Sequence, residues 1–328
     1  MLSTSGSPGT AFSFSKNIFR GNAMYREILS HPHIGSYSAL LLAGFVAGYF
    51  LARWRAKQNG IEGRHIDNIA LLLPVVCLIG ARLFSRLFDF SPPNGFWEAL
   101  KIWKGGGLVF YGGMIFGGAT VIVYFLVTKI RALRLLDVLA PSLALGLAFG
   151  RVGCFLSGCC WGDVCMEPAR LNSVTNPIAH SQLQTFPALS PPEFFLAVSF
   201  PPRSGAYEQH QKFGFISSAS ARSLPVHPVQ LYEAVLALAL CLFLNISFNQ
   251  TRRAGEIAAG FCLGYGFIRF CLEFFRADTP PVYFGMSISQ VISLGIALAG
   301  VIFFICIRRC DRTTAQSLRS PQLTEPVP

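Results

Sequence analysis

The sequence FGRVGCFLSGCCWG, residues 149–162, places Arg151 at the end of a run that is apolar from residue 135 to 148 apart from Asp137 and Ser142. A guanidinium group in hydrocarbon costs roughly 2.5–3.5 kcal/mol even on the lenient insertion scale, so it needs a counter-ion, a water-filled cavity or an anionic ligand. The glycines of this stretch leave the space around the charge open. We interpret the stretch as a pocket for an anion at a membrane surface.

Composition indicates an integral membrane protein. Of the 328 residues, 52% are hydrophobic and only 13% are charged, whereas a soluble protein has about 25% charged residues. The net charge of +11 is therefore assigned to cytoplasmic loops rather than to nucleic-acid binding. We predict an all-α fold with seven transmembrane helices, at residues 37–52, 66–88, 108–127, 135–156, 228–248, 257–275 and 286–307.

The loops predict the orientation. Basic residues follow the first, third, fifth and seventh predicted spans: Arg53, Arg55, Lys57 and Arg64; Lys129, Arg131 and Arg134; Arg252 and Arg253; Arg308, Arg309 and Arg312. This alternation puts the N-terminus outside and the C-terminus in the cytoplasm. Residues 34–310 form the membrane domain, with a small external head at about 163–227. We expect residues 1–33 to be disordered, or to precede a biological start at Met24, and 311–328 to form a disordered tail.

The sixth predicted span carries Tyr265, Arg269 and Glu273 at intervals of four, so these side chains share one helical face. Arg269 and Glu273 can pair along the helix. A structural ion pair between packed helices is one reading. Together with Arg151, however, the pattern favours an anionic headgroup, because two guanidinium groups suit a phosphate diester.

The sequence HPVQLYE, residues 227–233, opens the fifth span from the outside, with Pro228 in the first turn. His227 is then expected at the outer interface, either to exchange a proton or as a plain hydrogen-bonding residue. Gln230 and Glu233 lie one turn apart and are expected to face inward.

Three other polar side chains stand at ends of predicted spans. Tyr37 opens the first span, where a place in the interfacial aromatic belt is the default. Arg82 is a charge near the outer end of the second span, from which it can snorkel. Tyr111 stands between glycines 105–107 and glycines 112–113 at the entry to the third span, where glycines permit close helix packing or exposure of the backbone.

Ten cysteines need an account. Cys154, Cys159, Cys160 and Cys165 cluster near the external face, and most of the others lie scattered through the spans as small apolar residues. The spacing does not match the paired C-x-x-C pattern of a zinc site. We therefore expect a disulfide or buried thiols, and no metal.

At this point the residues resemble a known family, the prolipoprotein diacylglyceryl transferases. The resemblance covers residues from about 37 to 305 and rests on an ordered set of pieces: IGSY (34–37), GARL (80–83), YGG (111–113), residues 150–162, HPVQLYE (227–233), residues 264–276 with Asp278, and MSISQVIS (286–293). Each piece is weak alone, and the ordered set is specific.

The resemblance implies an enzyme of the bacterial inner membrane with its active site toward the outer leaflet. It moves the diacylglyceryl group of phosphatidylglycerol to the lipobox cysteine thiol of a prolipoprotein signal peptide, and releases glycerol phosphate without any cofactor. Arg151 and Arg269 would hold the phosphate and Glu273 would orient Arg269. The residues expected to shape the site for the membrane lipid are Tyr37, Arg82, Cys154, Gly162, Gln230, Glu233, Tyr265 and Arg276.

Two departures from the family pattern open alternatives. The family usually has His-Gly-Gly where this chain has Tyr111-Gly112-Gly113, and an asparagine where it has Cys154. Because a tyrosine is a poor base near neutral pH, either His227 takes the thiol proton or Tyr111 serves only as a hydrogen-bond partner. The rival functions are transfer to a different acceptor, a transporter or binding protein for anionic lipid, and, more remotely, a thiol-redox protein.

Overall fold

The computed structural model describes residues 27–29, 34–87, 110–165, 196–250, 253–276 and 285–317; side chains are described from residue 35 onward, except those at 85–87, 110–111 and 310–317. The elements are β1 (Glu27–Leu29), β2 (Ile34–Gly35), α1 (Ser36–Gln58), α2 (Gly63–Leu87), α3 (Phe110–Thr128), α4 (Ala132–Ser157), α5 (Gly205–Lys212), α6 (Val229–Phe248), α7 (Glu256–Glu273) and α8 (Ile288–Ser317).

Apolar helices dominate this part of the chain, as a membrane protein requires. Five of them are long and apolar enough to cross a bilayer: Ser36–Gln58, Gly63–Phe84, Ala132–Ser157, Val229–Phe248 and Ile288–Arg309. The other two predicted spans are also helical. In α3 the apolar segment Gly112–Thr128 is shorter, and α7 has 18 residues that include Glu256, Arg269 and Glu273.

The chain divides into two compact units. The first comprises Met1–Phe45, Ala144–Leu240 and Cys262–Ala299, and the second comprises Val46–Leu143, Cys241–Phe261 and Gly300–Pro328. The second unit has a core of buried Ala52, Ala56, Ile66, Ile69, Leu135 and Val138. Its buried Arg55 donates to the side-chain oxygen of Asn245 at 2.8 Å and to the backbone oxygen of the same residue at 2.7 Å.

Glycine allows the close approach of α2 and α3 in the second unit. A Cβ at Gly112 would lie 2.4 Å from the carbonyl oxygen of Gly80 and 2.3 Å from the Cβ of Phe84. Neither helix can carry a larger side chain at this crossing. At Gly112 the expected close helix packing is confirmed, whereas glycines 105–107 lie outside the described residues.

A buried carboxylate begins α7. Both oxygens of Asp137, which is 5% exposed, accept backbone hydrogen bonds, from the N–H of Gly255 at 2.6 Å and of Ala258 at 2.9 Å. The first turn of a helix has N–H groups without partners inside the helix, and a carboxylate there also complements the helix dipole. Asp137 therefore fixes the start of α7 from 118 residues away.

We expect Asp137→Ala to lower the free energy of unfolding by about 1–3 kcal/mol, because it leaves buried N–H groups without acceptors. Asp137→Asn keeps one oxygen and should lose less. Thermal unfolding of the two variants in the same detergent compares them directly. Equal unfolding midpoints for wild type and Asp137→Ala would show that Asp137 does not stabilise the start of α7.

Two elements extend past the predicted ends of the membrane domain. Glu27 and Leu29, which lie in the predicted N-terminal extension, pair antiparallel with Gly35 and Ile34. Helix α8 continues to Ser317, beyond the predicted start of the disordered tail at residue 311. The sequence contains neither proline nor glycine from 311 until Pro321, so nothing in it breaks the helix.

The described part of the predicted head, residues 196–227, has its own apolar core. Val198, Phe200, Ala206 and Val226 pack with Phe155 and Trp161, and Val226 bridges both Val164 and Val198. Residues 166–195 lie outside the described residues. All of these contacts are within the first unit.

Candidate active site

Glu233 is the carboxylate that joins the predicted site residues of three helices in the first unit. It lies on α6 and is 1% exposed. Its Oε1 is 3.0 Å from Nε of Arg151 on α4 and accepts a hydrogen bond from the Tyr265 hydroxyl on α7 at 3.3 Å. Its Oε2 is 3.8 Å from Nη1 of Arg269. The structure thus brings both predicted phosphate-binding arginines to one acid.

Glu273 forms the second half of this ionic cluster. Nη2 of Arg269 is 2.8 Å from its Oε2, which confirms that these two residues pair along the helix. Nε of Arg276, 8% exposed, is 3.8 Å from the same oxygen. The guanidinium of Arg269 therefore lies between two carboxylates, and this contact restricts its rotation.

Two residues at the start of α8, Ser287 and Gln290, support Glu273. Their role was not predicted from the sequence. The Ser287 hydroxyl donates to Oε1 of Glu273 at 2.8 Å. The same hydroxyl accepts the N–H of Gln290 at 3.2 Å, while the Gln290 side-chain oxygen accepts the N–H of Ser287 at 2.9 Å. This is a reciprocal capping box, and the S-x-x-Q spacing of residues 287–290 is its signal in the sequence.

The cluster has a net positive charge, and a buried donor and a buried acceptor in or beside it are unused among the described residues. Its three guanidinium groups and two carboxylates leave one net positive charge. Among the described residues, the buried Nη1 of Arg269 has no hydrogen-bond acceptor and the buried Oε1 of Gln230 has no donor. The Nε2 of Gln230 donates to the carbonyl of Cys159 at 2.7 Å. An anionic ligand that also donates a hydrogen bond complements these groups.

His227, expected just before the fifth span, is buried within the protein. It is 3% exposed, lies edge-on to Phe275, and its Nδ1 is 3.4 Å from the Tyr232 hydroxyl. The backbone explains the burial, because its N–H donates to the carbonyl of Asp163 and its own carbonyl accepts from Gly162, both at 2.9 Å. Burial lowers the pKa of the His227 imidazole from its usual 6.5, so the ring is neutral at pH 7.

Gly162 fits where no side chain would. A Cβ at this position would lie 2.4 Å from Cγ2 of Val229 and 2.6 Å from the carbonyl oxygen of Phe275. The neighbouring N–H of Asp163 donates to that same carbonyl at 2.8 Å. Gly162 therefore allows the segment after α4 to pack against the start of α6 and the end of α7.

A Schellman motif ends α4 and gathers three thiols. Gly158, with φ of +66°, donates its N–H to the carbonyl of Phe155, and the N–H of Cys159 donates to that of Cys154. This geometry brings the side chains of Cys154 and Cys159 together. Cys160 follows with φ of +61°, and the three sulfur atoms lie within 4.8 Å of one another.

The four cysteines predicted to cluster therefore do not behave alike. The Cys160 pKa is lowered because the thiols of Cys154 and Cys159 donate to its sulfur, with Arg276 and Arg151 adding to the effect. Cys165 instead directs its thiol to the carbonyl of Asp163, and burial raises its pKa to about 12. All four are free thiols in this structure.

Three further residues were predicted to belong to the site, namely Tyr37, Arg82 and Tyr111. Tyr37, 41% exposed at the start of α1, packs against Gly153, whose added Cβ would lie 3.1 Å from the tyrosine ring. In the second unit, Arg82 on α2 is 1% exposed, so it does not snorkel. Tyr111 lies in the first turn of α3, and its side chain is outside the described residues. Their roles stay predictions.

Comparison with known proteins gives the family. The model of the prolipoprotein diacylglyceryl transferase family matches residues 26–306. The chain belongs to this family. A phosphatidylglycerol--prolipoprotein diacylglyceryl transferase of Clostridium tetani is 27% identical over 271 residues, which are 83% of this chain and 92% of that protein. A protein of the same name from Pectobacterium carotovorum subsp. carotovorum is 31% identical over 280 residues, 82% and 88% of the two chains.

Membership in the prolipoprotein diacylglyceryl transferase family confirms the resemblance seen in the sequence. The ionic cluster combines three of its pieces, namely residues 150–162, 227–233 and 264–276, and the capping box belongs to a fourth, residues 286–293.

Proposed function

We propose that this protein transfers the diacylglyceryl group of phosphatidylglycerol to the lipobox cysteine thiol of prolipoproteins and releases glycerol phosphate. The observation that carries the proposal is the buried Nη1 of Arg269, a guanidinium donor without an acceptor among the described residues, in a cluster with net positive charge. A phosphate diester supplies one negative charge and acceptor oxygens. The names of the relatives supply the reaction.

The chemistry follows from where charge develops. The acceptor thiolate attacks the glyceryl carbon that bears the phosphate ester, a C–S bond forms, and the C–O bond to the phosphate breaks. The leaving phosphate carries the glycerol headgroup and gains negative charge. Arg151 and Arg269 donate to its oxygens, and in a site with little water such contacts are stronger than in solution. Glu233 and Glu273 hold both guanidinium groups in place beforehand.

The charge of the cluster also selects the headgroup. An ammonium headgroup would bring a second positive charge to a cluster that already has one in excess, whereas a glycerol headgroup is neutral and offers hydroxyl donors. Gln230 lies one turn before Glu233 on α6, so both face the same side, and its free Oε1 is the acceptor for such a hydroxyl. Tyr37, Gly162, Cys154 and Arg276, all in the first unit, complete the proposed lipid site.

The finer topology is part of the proposal. All seven long helices, including α3 and α7, cross the inner membrane, with the N-terminus outside and the C-terminus in the cytoplasm. The basic residues that follow α1, α3, α6 and α8 support this orientation. Arg151 lies in the last two turns of α4, which end on the outer side, so the reaction takes place toward the outer leaflet.

His227 is the proposed base for the acceptor thiol, in place of the family's usual histidine before Gly112-Gly113. Since burial lowers its pKa below 6.5, the neutral form that accepts a proton persists below that pH. We expect turnover to fall only as pH drops below 6.5. His227→Asn should remove this acid limb and reduce kcat by about 10²–10⁴-fold. Rates measured from pH 5 to 8 give both quantities.

The control for His227 is His65→Asn, a partly buried histidine of the second unit that hydrogen-bonds Tyr124. It should keep both the rate and the acid limb. If His227→Asn also kept both, another group would be the base.

The function is tested with the purified protein in detergent, phosphatidylglycerol and a synthetic lipobox peptide. Glycerol phosphate release and the mass of the peptide are measured together. A diacylglyceryl mass gain on the peptide is the expected result. Glycerol phosphate without a modified peptide would indicate another acceptor. The absence of both products, under conditions where a relative is active, would contradict the transferase function and favour lipid binding or transport.

A further inference from the structure

The three thiols at the end of α4 form a compact donor set, and none of them takes part in the bond-forming step of the proposed transfer. Their sulfur atoms lie within 4.8 Å of one another and all three residues are partly buried. The Schellman motif fixes Cys154 and Cys159 through the backbone, with the N–H of Cys159 3.1 Å from the carbonyl of Cys154. The arrangement therefore follows from the helix end and does not depend on side-chain rotation alone.

Two further contacts hold the third thiol in place. Cys160 adopts a positive φ, a conformation that costs energy for a residue other than glycine. The chain on either side is fixed by Gln230, which donates to the carbonyl of Cys159 at 2.7 Å, and by Gly162, which donates to His227 at 2.9 Å. The strained residue is thus held between two anchored neighbours, with its sulfur near the other two.

We propose that Cys154, Cys159 and Cys160 bind a soft divalent d¹⁰ cation, with Zn²⁺ as the physiological candidate, through three thiolates. A zinc–sulfur bond of about 2.3 Å in tetrahedral geometry requires sulfur atoms about 3.8 Å apart, which rotations of the three side chains supply from the present separations. The fourth position is open to water. The sequence pattern argued against metal because it lacks paired C-x-x-C, whereas here the helix cap brings the ligands together.

Cys165 is excluded from this site by its own contacts. It is buried, its N–H donates to the carbonyl of Pro225 at 2.8 Å, and its thiol points to the carbonyl of Asp163. It lies five residues after Cys160 and in the same unit. Cys165→Ser is therefore the matched control for the three ligand variants.

Metal binding has a consequence for the lipid site, and this part rests on the proposed function. Binding releases the thiol protons, so three thiolates and one dication form a complex with one negative charge. Arg151 lies one helical turn before Cys154, so this charge is close to the guanidinium that would hold the lipid phosphate. The bound metal complex then opposes binding of the anionic headgroup, and soft cations inhibit transfer by raising KM for phosphatidylglycerol.

The test uses Cd²⁺, a d¹⁰ dication whose thiolate bonds give a charge-transfer absorption, on the reduced full-length protein in detergent. One equivalent should titrate the band to saturation, and X-ray absorption at the cadmium edge of the wild type should give three sulfur neighbours. Cys154→Ser, Cys159→Ser and Cys160→Ser should each weaken binding at least tenfold, whereas Cys165→Ser should not. An excess of Zn²⁺ should compete with Cd²⁺ and reduce the band.

Several outcomes would contradict the proposed metal site. One or no sulfur neighbour in the wild type would do so without any variant. Unchanged titration in all three ligand variants would place the cation elsewhere. A mass two daltons low, with only one free thiol among Cys154, Cys159 and Cys160 in protein purified without reductant, would assign the other two residues to a disulfide instead.

The kinetic part is judged separately from binding. Each variant's rate with Cd²⁺ is compared with its own rate without metal, at several phosphatidylglycerol concentrations. A tenfold higher KM in the wild type that disappears in Cys160→Ser supports the coupling to the lipid site. Cadmium binding with no change in KM would retain the metal site and reject the coupling. A protein that is inactive without added metal, but binds Cd²⁺ with three sulfur neighbours, would contradict the proposed function and leave the metal site intact.

Discussion

Arg151→Ala is expected to reduce turnover by about 10²–10³-fold, because the loss of a charge-stabilising donor in a catalytic site costs that much. The side chain is mostly buried at 18% exposure and contacts Glu233. Its removal also leaves that carboxylate with less compensation. Arg151→Lys keeps the charge but not the fork of donors, so we expect it to recover part of the activity. Glycerol phosphate release, fitted for kcat and KM, separates the two variants.

The control for this experiment is Arg53→Ala. Arg53 pairs with Asp67 in the second unit and is 47% exposed. It carries the same charge and is outside the ionic cluster, so its variant should stay close to wild-type activity. Wild-type kcat in Arg151→Ala, with an unchanged unfolding midpoint, would remove the phosphate-binding role from this arginine.

Glu233→Ala is expected to have the largest effect on both stability and activity. Removal of one partner from a buried ion pair costs about 3–5 kcal/mol, since it leaves a buried charge without compensation, and Glu233 contacts two guanidinium groups and a tyrosine hydroxyl. Glu233→Gln keeps the volume and one acceptor. We expect it to fold with a smaller loss of stability but to hold Arg151 and Arg269 less firmly.

Thermal unfolding and turnover of both Glu233 variants are measured side by side. The matched control is Glu208→Ala, an exposed acid on α5 in the same unit, which should change neither quantity. If Glu233→Ala unfolded at the wild-type temperature, the carboxylate would not be essential to the cluster, and Glu273 alone would hold Arg269.

The part of the site that the sequence predicted is local along one helix. Tyr265, Arg269 and Glu273 are spaced four apart, and the helical repeat alone brings them onto one face. The contact between Arg151 and Glu233 joins residues 82 positions apart, and no local pattern encodes it. The sequence indicated only that Arg151 needed a partner, because an isolated guanidinium in a membrane is too costly.

The clustered cysteines also show what sequence spacing cannot predict. Spacing grouped Cys165 with Cys154, Cys159 and Cys160, but the Schellman hydrogen bonds bring together three of these, and the backbone pairing with Pro225 carries Cys165 away. Likewise, Asp137 looked like an exception in an apolar run, yet it caps α7 from α4. Hydropathy located the helices, whereas contacts between elements distant in the sequence decided the function of their polar residues.

The pairing of Arg269 with Glu273 has a consequence for the charge that α7 carries. Both charges lie on the same helix and neutralise each other at 2.8 Å, so the proposed span α7 carries this pair as an internally compensated segment. Ser287, which donates to Glu273 from the start of α8, is synthesised fourteen residues later. The charge of Arg269 is therefore already compensated within α7, and the start of the final helix adds the last supporting contact when it packs against Glu273.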